Sequence, residues 1–419
     1  MRIQFAGDLA GTGFGTVTRD LGLALLNVGH DVRFVSQNDT GDDLEEPFAS
    51  RTFRVTPDLV DLEVASIVGT NSMALSVQGI LKLIRGELWQ DGWRPEAAIL
   101  LGDFVSVRRL VMADEDTIAA FSAVPTYHYV PIEGVDLPPA WNMLWRVLRP
   151  VAMSEFGADQ IELVTGQRPP VIYHGVDTDQ FRPVSPENPL YLENKGGPIK
   201  LRSKAECKRF FGGDPKSRWI LRTDRLMPRK RYGSFLRSLA PVLAERPDVL
   251  LMMHCRSADE GGHLYDLISK YPRPIAERML ISGFHDRFGG APRDILTALY
   301  NAADVYASCS AEGFGLTIAE AMACGTPAVG MEYSAVPEVI GPGGLLAPVN
   351  RLDDNEYDHA WATVDEPAFG RQVAALLDND LQRRSLGRSA AAHIRASFQW
   401  STAARQFGEV METRMEAVA

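Results

Sequence analysis

The chain has 419 residues, of which 45% are hydrophobic and 23% are charged, and its formal net charge is -11. These values are typical of a folded protein with two or three domains, and they argue against a disordered chain or a fibre. The acidic balance also argues against a protein held to nucleic acid by charge, although it leaves room for a local basic cleft.

Cysteine usage and the apolar runs indicate a cytoplasmic protein. The four cysteines are scattered and form no CxxC pair, which argues against a zinc site or a redox motif. The segment "MRIQFAGD" lacks the features of a signal peptide, and no apolar run is long enough to span a bilayer. We therefore expect a cytoplasmic location, with peripheral association with a membrane left open.

In chain order, short apolar segments alternate with amphipathic ones. "RIQFAG" predicts a strand, "TVTRDLGLALLNVG" has apolar residues at helical spacing with Gly29 as a C-cap, and "HDVRFVS" predicts the next strand. Further predicted strands lie at 97–102, 126–131, 150–154, 170–175, 219–224, 249–254, 278–283, 305–310 and 327–332. Such near-continuous apolar strands with helices between them predict an α/β fold with parallel sheets covered on both faces.

The predicted strands form two groups, which are separated at 176–200 by a stretch rich in Pro, Gly, Asn and charge. We therefore predict two doubly wound, Rossmann-like domains, at 1–178 and 179–390. Helical segments are expected from about residue 365 onward, and the last of them, 391–419, is expected to pack back on the first domain. The two domains are expected to face each other across a cleft, with ligands at the carboxyl ends of their strands.

Two segments of the first domain follow strands and carry candidate ligand groups. "GDLAGTGFGTVT" brings Gly11, Gly13 and Gly15 to the start of a helix. These glycines either align N–H groups toward a phosphate or only permit a tight turn. "TYHYVPIEG" places His128 at or near a strand end. His128 is either a group that donates to a substrate hydroxyl or shuttles its proton, or a hydrogen-bonded core histidine, which we favour from the residues alone.

A basic run, "RTDRLMPRKRYGSF", opens the second domain after its first strand. Arg225 offers a planar fork and Lys230 a point charge, and together they suit a diphosphate. The other basic residues of the run, Arg222, Arg229 and Arg231, have a second interpretation as solvated surface charges, which we expect for at least two of the three.

The segment "CSAEGFGLTIAEAMACGTP" predicts a strand end, a glycine-containing turn and a helix. The turn exposes N–H groups at the helix N-terminus, which predicts a second anion site. These N–H groups are those of Phe314, Gly315 and Leu316. Glu312 lies on the turn, and Glu320 lies one helical turn beyond it, ~6 Å of helix rise past Leu316. Glu320 suits ribose hydroxyls and Glu312 suits sugar hydroxyls, but an acid/base pair, or a dipole partner and a surface charge, are alternatives.

Together these segments resemble the large retaining glycosyltransferase family 4, also described as glycosyl transferases group 1, which has the GT-B architecture. The resemblance covers most of the chain and rests on "EGFGLTIAEAMACGTPAVG" with its E-x7-E spacing, "VIYHGVDTDQFRP", "DRLMPRKRYGSFL", "GFHD" and "VPEVIGPGGLLAP". It implies transfer of a sugar with retention from a UDP-, GDP- or ADP-sugar to an acceptor hydroxyl. No metal or cofactor is expected, because the cations and helix termini supply positive charge.

The resemblance also implies a role for each site residue. Glu312 and His128 would lie at the donor sugar, and Arg225 and Lys230 would neutralise the leaving diphosphate, so these four residues form the expected catalytic set. The N–H group of Gly15 would contact the diphosphate. The expected donor-binding residues are Gly13, Gly15, Thr16, Arg225, Lys230, Phe314, Gly315, Leu316, Thr317 and Glu320.

Two positions depart from the family pattern. Asp224 stands where the family usually has the glycine that precedes the arginine of the basic pair, and it places a carboxylate beside the expected phosphate site. Tyr129 follows His128, where the family often has Asp or Glu.

The acceptor-side segments, 40–95 and "VPIEGVDLPPAW", match no specific pattern. The expected acceptor is a glycan, a lipid-linked glycan or a small polyol, and a modified DNA base is less favoured because the chain is acidic. Three alternative functions are a glycoside-processing enzyme, a sugar-nucleotide epimerase on the same architecture, and a non-catalytic nucleotide-sugar binder. The paired anion sites favour the transferase.

Overall fold

The structure is a computed structural model that describes residues 1–9, 12–36, 45–54, 82, 85–87, 89, 91–112, 115–193, 197–283, 290–355 and 358–416. Most of the expected acceptor-side segment 40–95 and most of the "GFHD" motif therefore lie outside the described residues. The chain divides into two compact units. The first comprises Met1–Ile132, Leu137–Gly175 and Trp400–Ala419, and the second comprises Glu133–Asp136 and Val176–Gln399.

The first unit alternates strands and helices. Its strands are β1 (Arg2–Gly7), β2 (Asp31–Ser36), β3 (Thr52–Arg54), β4 (Ala97–Leu101), β5 (Thr126–Val130) and β6 (Arg149–Ala152). Its helices are α1 (Gly13–Asn27), α2 (Phe104–Val111), α3 (Glu115–Ala123), α4 (Asn142–Trp145), α5 (Glu155–Thr165) and the C-terminal helix (Trp400–Glu416).

The six strands of the first unit form one parallel sheet in the order β3-β2-β1-β4-β5-β6. Phe5 on β1 pairs with Phe34 on β2 and with Ile99 on β4, so the strand order reverses on either side of β1. In α1, Leu21 and Leu25 are fully buried at helical spacing, and the C-terminal helix packs against the same helix. This arrangement places the segment after β1 at the reversal point, where open α/β sheets bind ligands.

The second unit has a larger set of elements. Its strands are β7 (Leu190–Leu192), β8 (Ile199–Leu201), β9 (Arg218–Thr223), β10 (Val249–His254), β11 (Ala258–Asp259), β12 (Gly262–His263), β13 (Met279–Ile281), β14 (Val305–Ser308), β15 (Ala328–Met331), β16 (Gly344–Ala347), β17 (Val349–Asp354) and β18 (Ala360–Val364). Its helices are α6 (Lys204–Phe210), α7 (Tyr232–Glu245), α8 (Leu264–Ile268), α9 (Arg273–Ala276), α10 (Arg293–Ala302), α11 (Leu316–Ala323), α12 (Val336–Ile340), α13 (Glu366–Asp378) and α14 (Asp380–Ser397).

The main sheet of the second unit repeats the topology of the first. Its parallel strands run in the order β13-β10-β9-β14-β15-β16, so the order reverses between β9 and β14. Phe235 of α7 and Phe369 of α13 are fully buried and meet with ring centroids 6.2 Å apart, which anchors two helices in one core. Three short antiparallel pairs, β7–β8, β11–β12 and β17–β18, complete the unit.

The α/β fold with two parallel sheets agrees with the prediction, and four details differ from it. The expected strand at 170–175 makes only a single bridge, between Val171 and Ala152. The chain passes from the first unit to the second after Gly175 rather than after residue 178, and the C-terminal helix of the first unit begins at Trp400 rather than near residue 391. The segment Glu133–Asp136 belongs to the second unit, because it bridges β18 through the pair formed by residues 135 and 360.

All four cysteines are free and buried. Burial raises the pKa of Cys207 to about 12 and that of Cys255 to about 11, so neither is a reactive thiolate. Within the described ranges, no helix combines the length and the apolarity that crossing a membrane requires.

Candidate active site

The candidate site lies at the carboxyl ends of β9 and β14, where the strand order of the second sheet reverses. Tyr306 on β14 pairs with Leu221 on β9, so the segments that follow the two strands begin side by side. One of these segments carries the predicted basic run, and the other carries the predicted glutamates. The fold therefore brings both signals to a single reversal point, the usual ligand position in such sheets.

The turn before α11 is built around Gly315. Its φ of 105° lies in the left-handed region, and an added Cβ would lie 3.3 Å from Ile318 Cδ1. A glycine is therefore required here. The Gly315 carbonyl accepts hydrogen bonds from the N–H groups of Ile318 and Ala319. The first N–H groups of the helix, on Leu316 and Thr317, have no partner within the helix, and the helix dipole favours an anion at this end.

Glu312 is held from several sides. Its Oε1 accepts hydrogen bonds from Lys230 Nζ at 2.5 Å and from Ser310 Oγ at 2.7 Å. Its backbone N–H donates to Ser334 Oγ at 2.9 Å, and Arg229 Nη1 lies 3.8 Å from its Oε2. An ion-paired carboxylate accepts hydrogen bonds and donates none, so this geometry suits hydroxyl binding better than acid/base exchange.

Lys230 is shared by two carboxylates. Its Nζ lies 2.9 Å from Asp224 Oδ1 and 2.5 Å from Glu312 Oε1. The other oxygen of Asp224, Oδ2, accepts a hydrogen bond from Arg222 Nε at 3.0 Å. Burial alone would raise the pKa of Asp224, but Lys230 and Arg222 outweigh burial and hold the pKa below its usual value. The site therefore holds an ionised Asp224 against the lysine that was expected to meet phosphate.

Arg222 lies on β9, and its side chain is a fully buried cation with 0% exposure. Its guanidinium carbon lies over the rings of Tyr232 and Phe235, 4.2 and 4.6 Å from their centroids. Its Nη2 donates to the carbonyl of Lys230. Arg222 thus fixes the backbone of Lys230 as well as the carboxylate that faces the ammonium group.

The expectation that at least two of Arg222, Arg229 and Arg231 are solvated surface charges is wrong. Arg222 is buried, and the other two are about one-third exposed, because each of them reaches a carboxylate that is distant in the sequence. Arg229 Nη1 lies 3.6 Å from Glu133 Oε1, and Arg231 Nη2 lies 3.7 Å from Asp353 Oδ2. Glu133 therefore joins the site, and no local sequence signal indicated it.

Glu320 is buried and is hydrogen-bonded by Tyr300, whose hydroxyl donates to Glu320 Oε2 at 2.7 Å. Thr223 Oγ1 lies 3.2 Å from the hydroxyls of both Tyr300 and Tyr306, and Tyr306 in turn donates to Thr317 Oγ1 at 2.8 Å. Burial, followed by the charge of Glu320, raises the pKa of Tyr300 well above its usual value, so the phenol remains a donor. Neither tyrosine was predicted as a site residue; Tyr306 lies on β14, where its hydroxyl in an apolar strand was a usable signal, whereas Tyr300 lies on α10.

Residues 217–379, which include all of this second-unit site except Glu133, match the family model described as glycosyl transferases group 1. This segment is a glycosyl transferases group 1 domain. The family predicted from the E-x7-E block and the basic run is confirmed.

Two curated relatives align with somewhat more of the chain than the group 1 domain. One is the GDP-mannose-dependent monoacylated alpha-(1-6)-phosphatidylinositol monomannoside mannosyltransferase of Corynebacterium glutamicum, 22% identical over 248 residues, which are 57% of this chain and 55% of the relative. The other is a D-inositol 3-phosphate glycosyltransferase of Corynebacterium glutamicum (strain R), 27% identical over 241 residues, which are 57% of this chain and 53% of the relative. The chain thus spans about half the length of the curated relatives that it matches.

The solved structures extend the likeness to the whole fold. Anabaena Alr3699/HepE, solved in complex with UDP and glucose, superposes with a TM-score of 0.70 at 15% identity, covering 99% of this chain and 100% of that chain. At this identity the likeness shows the fold alone. The predicted GT-B fold class, with two Rossmann-like domains, is confirmed.

Arg225 of the group 1 domain is engaged by the β11–β12 hairpin. Its Nε and Nη2 donate to Asp259 at 3.0 and 2.8 Å, and Nη2 also donates to Glu260 Oε1 at 3.0 Å. The hairpin is itself fixed beside the basic run, because the Gly261 N–H donates to the Leu226 carbonyl at 2.8 Å. Arg225 is 53% exposed, so it is accessible, but it is already paired with two carboxylates.

The expected glycine-rich loop lies in the first unit, after β1. Thr12 caps α1: its Oγ1 accepts the Gly15 N–H at 3.0 Å, and its carbonyl accepts the Thr16 N–H at 2.9 Å. The Thr12 hydroxyl donates in turn to Asp8 Oδ2 at 2.6 Å. The N–H groups of Gly15 and Thr16 therefore have partners inside the loop. A Cβ added at Gly13 would have no atom within 4 Å, so the described residues leave open space beside Gly13. Contact of this loop with a diphosphate stays a prediction.

His128 is a hydrogen-bonded core histidine, the interpretation that the residues alone favoured. Its Nε2 donates to the Gly102 carbonyl at 3.1 Å, and its Nδ1 accepts the indole N–H of Trp145 at 3.3 Å. Burial lowers its pKa to about 4, so the neutral form persists near pH 7. Both ring nitrogens are engaged inside the first unit, and this arrangement conflicts with the catalytic role that the family resemblance implied.

The described residues contain no group of three or more His, Cys, Asp or Glu side chains that could hold a metal ion. An open hollow of about 630 Å³ occurs in the first unit, and it is lined by Leu23, Leu26, Asn27, Gly29, His30, Asp31, Pro47 and Arg51. The hollow lies at the amino-terminal end of β2, whereas ligands of these folds bind at carboxyl ends, so it is not the candidate site.

Proposed function

We propose that the chain transfers a sugar from a nucleotide diphosphate sugar to an acceptor hydroxyl, with retention and without a metal ion or cofactor. One observation carries the proposal: Glu312 and Glu320 flank the N-terminus of α11, and Lys230 lies against Glu312. A nucleotide sugar has three parts in a row, a sugar, a diphosphate and a ribose. The site offers a matching row of a carboxylate, an anion-binding helix terminus with a cation, and a second carboxylate.

Each part of the donor has a proposed partner. The ribose hydroxyls would donate to Glu320, since the two oxygens of a carboxylate accept several hydrogen bonds, one of them here from Tyr300. The diphosphate would accept hydrogen bonds from the N–H groups at Leu316 and form an ion pair with Lys230. The sugar hydroxyls would donate to Glu312. Phe314, Gly315 and Thr317 stay proposed donor contacts, as do Gly13, Gly15 and Thr16 of the first unit.

The proposed leaving-group stabilisation is electrostatic. Negative charge grows on the diphosphate as the sugar departs, and fixed donors and dipoles placed at that position lower the barrier. We assign this stabilisation to Lys230 and to the N-terminus of α11. Arg225 would join them after exchanging its hairpin partners Asp259 and Glu260 for phosphate oxygens.

The names of similar proteins suggest the substrate classes to test first. One relative is named for GDP-mannose and a phosphatidylinositol mannoside, another for D-inositol 3-phosphate, and one structural neighbour was solved with UDP and glucose. We propose a donor among the UDP-, GDP- and ADP-sugars. The proposed acceptor carries its hydroxyl on a polyol or on a lipid-linked or free glycan.

Thermal unfolding with nucleoside diphosphates tests the donor site directly. A ligand at 100 times its dissociation constant stabilises the folded state by about 2.7 kcal/mol, so UDP, GDP or ADP should raise the melting temperature, also in the presence of EDTA. Glu320→Gln should reduce the shift, and Glu245→Gln, which changes an exposed glutamate of the same unit, should not. If none of the three nucleotides raises the melting temperature, the proposed donor site is refuted.

A further inference from the structure

The Asp224 carboxylate pairs with Lys230, the residue that is expected to contact the diphosphate. Its side chain is 4% exposed, and its Oδ1 lies 2.9 Å from the Lys230 ammonium group. The other oxygen is held by Arg222 Nε at 3.0 Å and by the Ser308 hydroxyl at 3.4 Å. The carboxylate is therefore fixed from two sides. Its partner Lys230 also pairs with Glu312.

The charges of this cluster balance without any ligand. Lys230 pairs with Asp224 and Glu312, and Arg229 lies between Glu312 and a third carboxylate, Glu133. The members are the cations Arg222, Arg229 and Lys230 and the carboxylates Glu133, Asp224 and Glu312. A diphosphate brings at least two further negative charges. It therefore competes with Asp224 for Lys230, or it binds next to an uncompensated carboxylate.

We propose that Asp224, fixed by Arg222, is a positioning residue that holds Lys230 until a donor binds and weakens diphosphate binding there. The inference rests on the proposed function, because it assigns Lys230 to the diphosphate. This brake on diphosphate binding depends on the pairing of Asp224 with both Arg222 and Lys230 in this chain. Its consequence for turnover is faster release of the nucleoside diphosphate product.

A purely structural role of Asp224 predicts a different result. If Asp224 only neutralises the buried Arg222, removing its charge lowers stability and leaves phosphate affinity unchanged or weaker. If Asp224 competes with phosphate for Lys230, removing its charge strengthens binding, which no loss of structure produces. The two roles therefore differ in the sign of one measurable effect.

Calorimetric titration with inorganic pyrophosphate, without divalent cations, measures that sign. Asp224→Asn should bind pyrophosphate at least about tenfold more tightly than the wild type, a change well above the error of the method. The matched control is Asp378→Asn, because Asp378 also pairs with an arginine, at 2.9 and 2.7 Å from Arg246. Asp378 is exposed and lies outside the site, so the control should bind as the wild type does.

Turnover gives a second readout. With a donor sugar, Asp224→Asn should lower KM and also lower kcat, because the diphosphate product leaves more slowly. If Asp224→Asn does not fold, Arg222→Met/Asp224→Asn removes the buried pair together, and it should still bind pyrophosphate more tightly than the wild type. If neither the single nor the double variant folds, Asp224 is required for folding, and the inference is overturned.

The same titrations test the role of Asp224 and the donor site separately. If the wild type binds pyrophosphate and Asp224→Asn binds it no more tightly, the inference is overturned and the donor site stands. If neither protein binds pyrophosphate or any nucleoside diphosphate, the donor site fails and the inference fails with it.

Discussion

Lys230→Ala is the substitution whose consequences follow most directly from the geometry. The Lys230 side chain is 9% exposed, and its ammonium group bridges Asp224 and Glu312. Removing it leaves two buried carboxylates with one partner fewer each. Asp224 keeps Arg222, and Glu312 keeps Ser310, so the loss is partly compensated.

The expected magnitudes differ for stability and for activity. Breaking a buried ion pair costs about 3–5 kcal/mol, and we expect the lower end because other partners remain. In a unit of this size, that loss lowers the melting temperature by about 6–12 °C. Removing one fixed charge that stabilises a leaving group lowers kcat by about 10²–10³.

Lys208→Ala separates the two effects. Lys208 Nζ lies 2.7 Å from Asp304 and donates to the Ser217 carbonyl, and its side chain is as buried as that of Lys230. Lys208 belongs to α6, and its ammonium group lies near the amino end of β9, away from the site. The control should therefore lose similar stability and keep its turnover and pyrophosphate affinity. The assay is steady-state release of nucleoside diphosphate at a temperature where both variants are folded. Equal turnover in the two variants would refute the assignment of Lys230 to the leaving group.

The remaining predictions concern the ribose site, the turn and the buried histidine. Tyr300→Phe removes a hydrogen bond to the Glu320 carboxylate, which is worth about 1.5–3 kcal/mol to the folded state, and it takes away a group that orients this carboxylate, so titration should show weaker nucleoside diphosphate binding. Unchanged affinity would contradict the ribose assignment. Gly315→Ala places a side chain at a φ of 105°, which costs about 1–2 kcal/mol, and it should lower the melting temperature and raise the donor KM. A variant with wild-type values of both would show that the turn is not constrained. The pKa of His128 is about 4 in the folded chain and 6.5 ordinarily, so as pH falls through 6.5 the unfolded chain takes up a proton that the folded chain does not. Between pH 7 and pH 5, urea unfolding of the first unit should lose about 2 kcal/mol through this residue. His128→Gln should remove that loss, unlike the exposed-site control His263→Gln, and an unchanged pH dependence would contradict the buried neutral state.

The sequence predicts those features that depend on local pattern. Alternating strand and helix segments predict both parallel sheets, because strand burial and helix amphipathicity are encoded over a few residues. The glycine turn and the E-x7-E spacing likewise place Glu312 and Glu320 correctly around α11, because one strand, one turn and one helix fix both positions.

What the sequence did not predict depends on contacts between distant segments. At least two of Arg222, Arg229 and Arg231 were expected to be surface charges, because nothing local shows that two aromatic rings of α7 and a carboxylate compensate the burial of Arg222. Glu133 reaches Arg229 from almost 100 residues away, and Asp259 reaches Arg225 from the following hairpin. For His128 the residues alone favoured a core position, which the structure shows, whereas the family resemblance implied a role at the donor sugar.

The central claim is that the site moves a sugar from a nucleotide diphosphate to a hydroxyl with retention. The most direct test is incubation with UDP-, GDP- and ADP-sugars and a panel of polyol and glycan acceptors, followed by NMR of the product. The account predicts free nucleoside diphosphate in equal amount to a glycoside whose anomeric configuration matches that of the donor. An epimerised nucleotide sugar without nucleotide release, or a glycoside of inverted configuration, would contradict it.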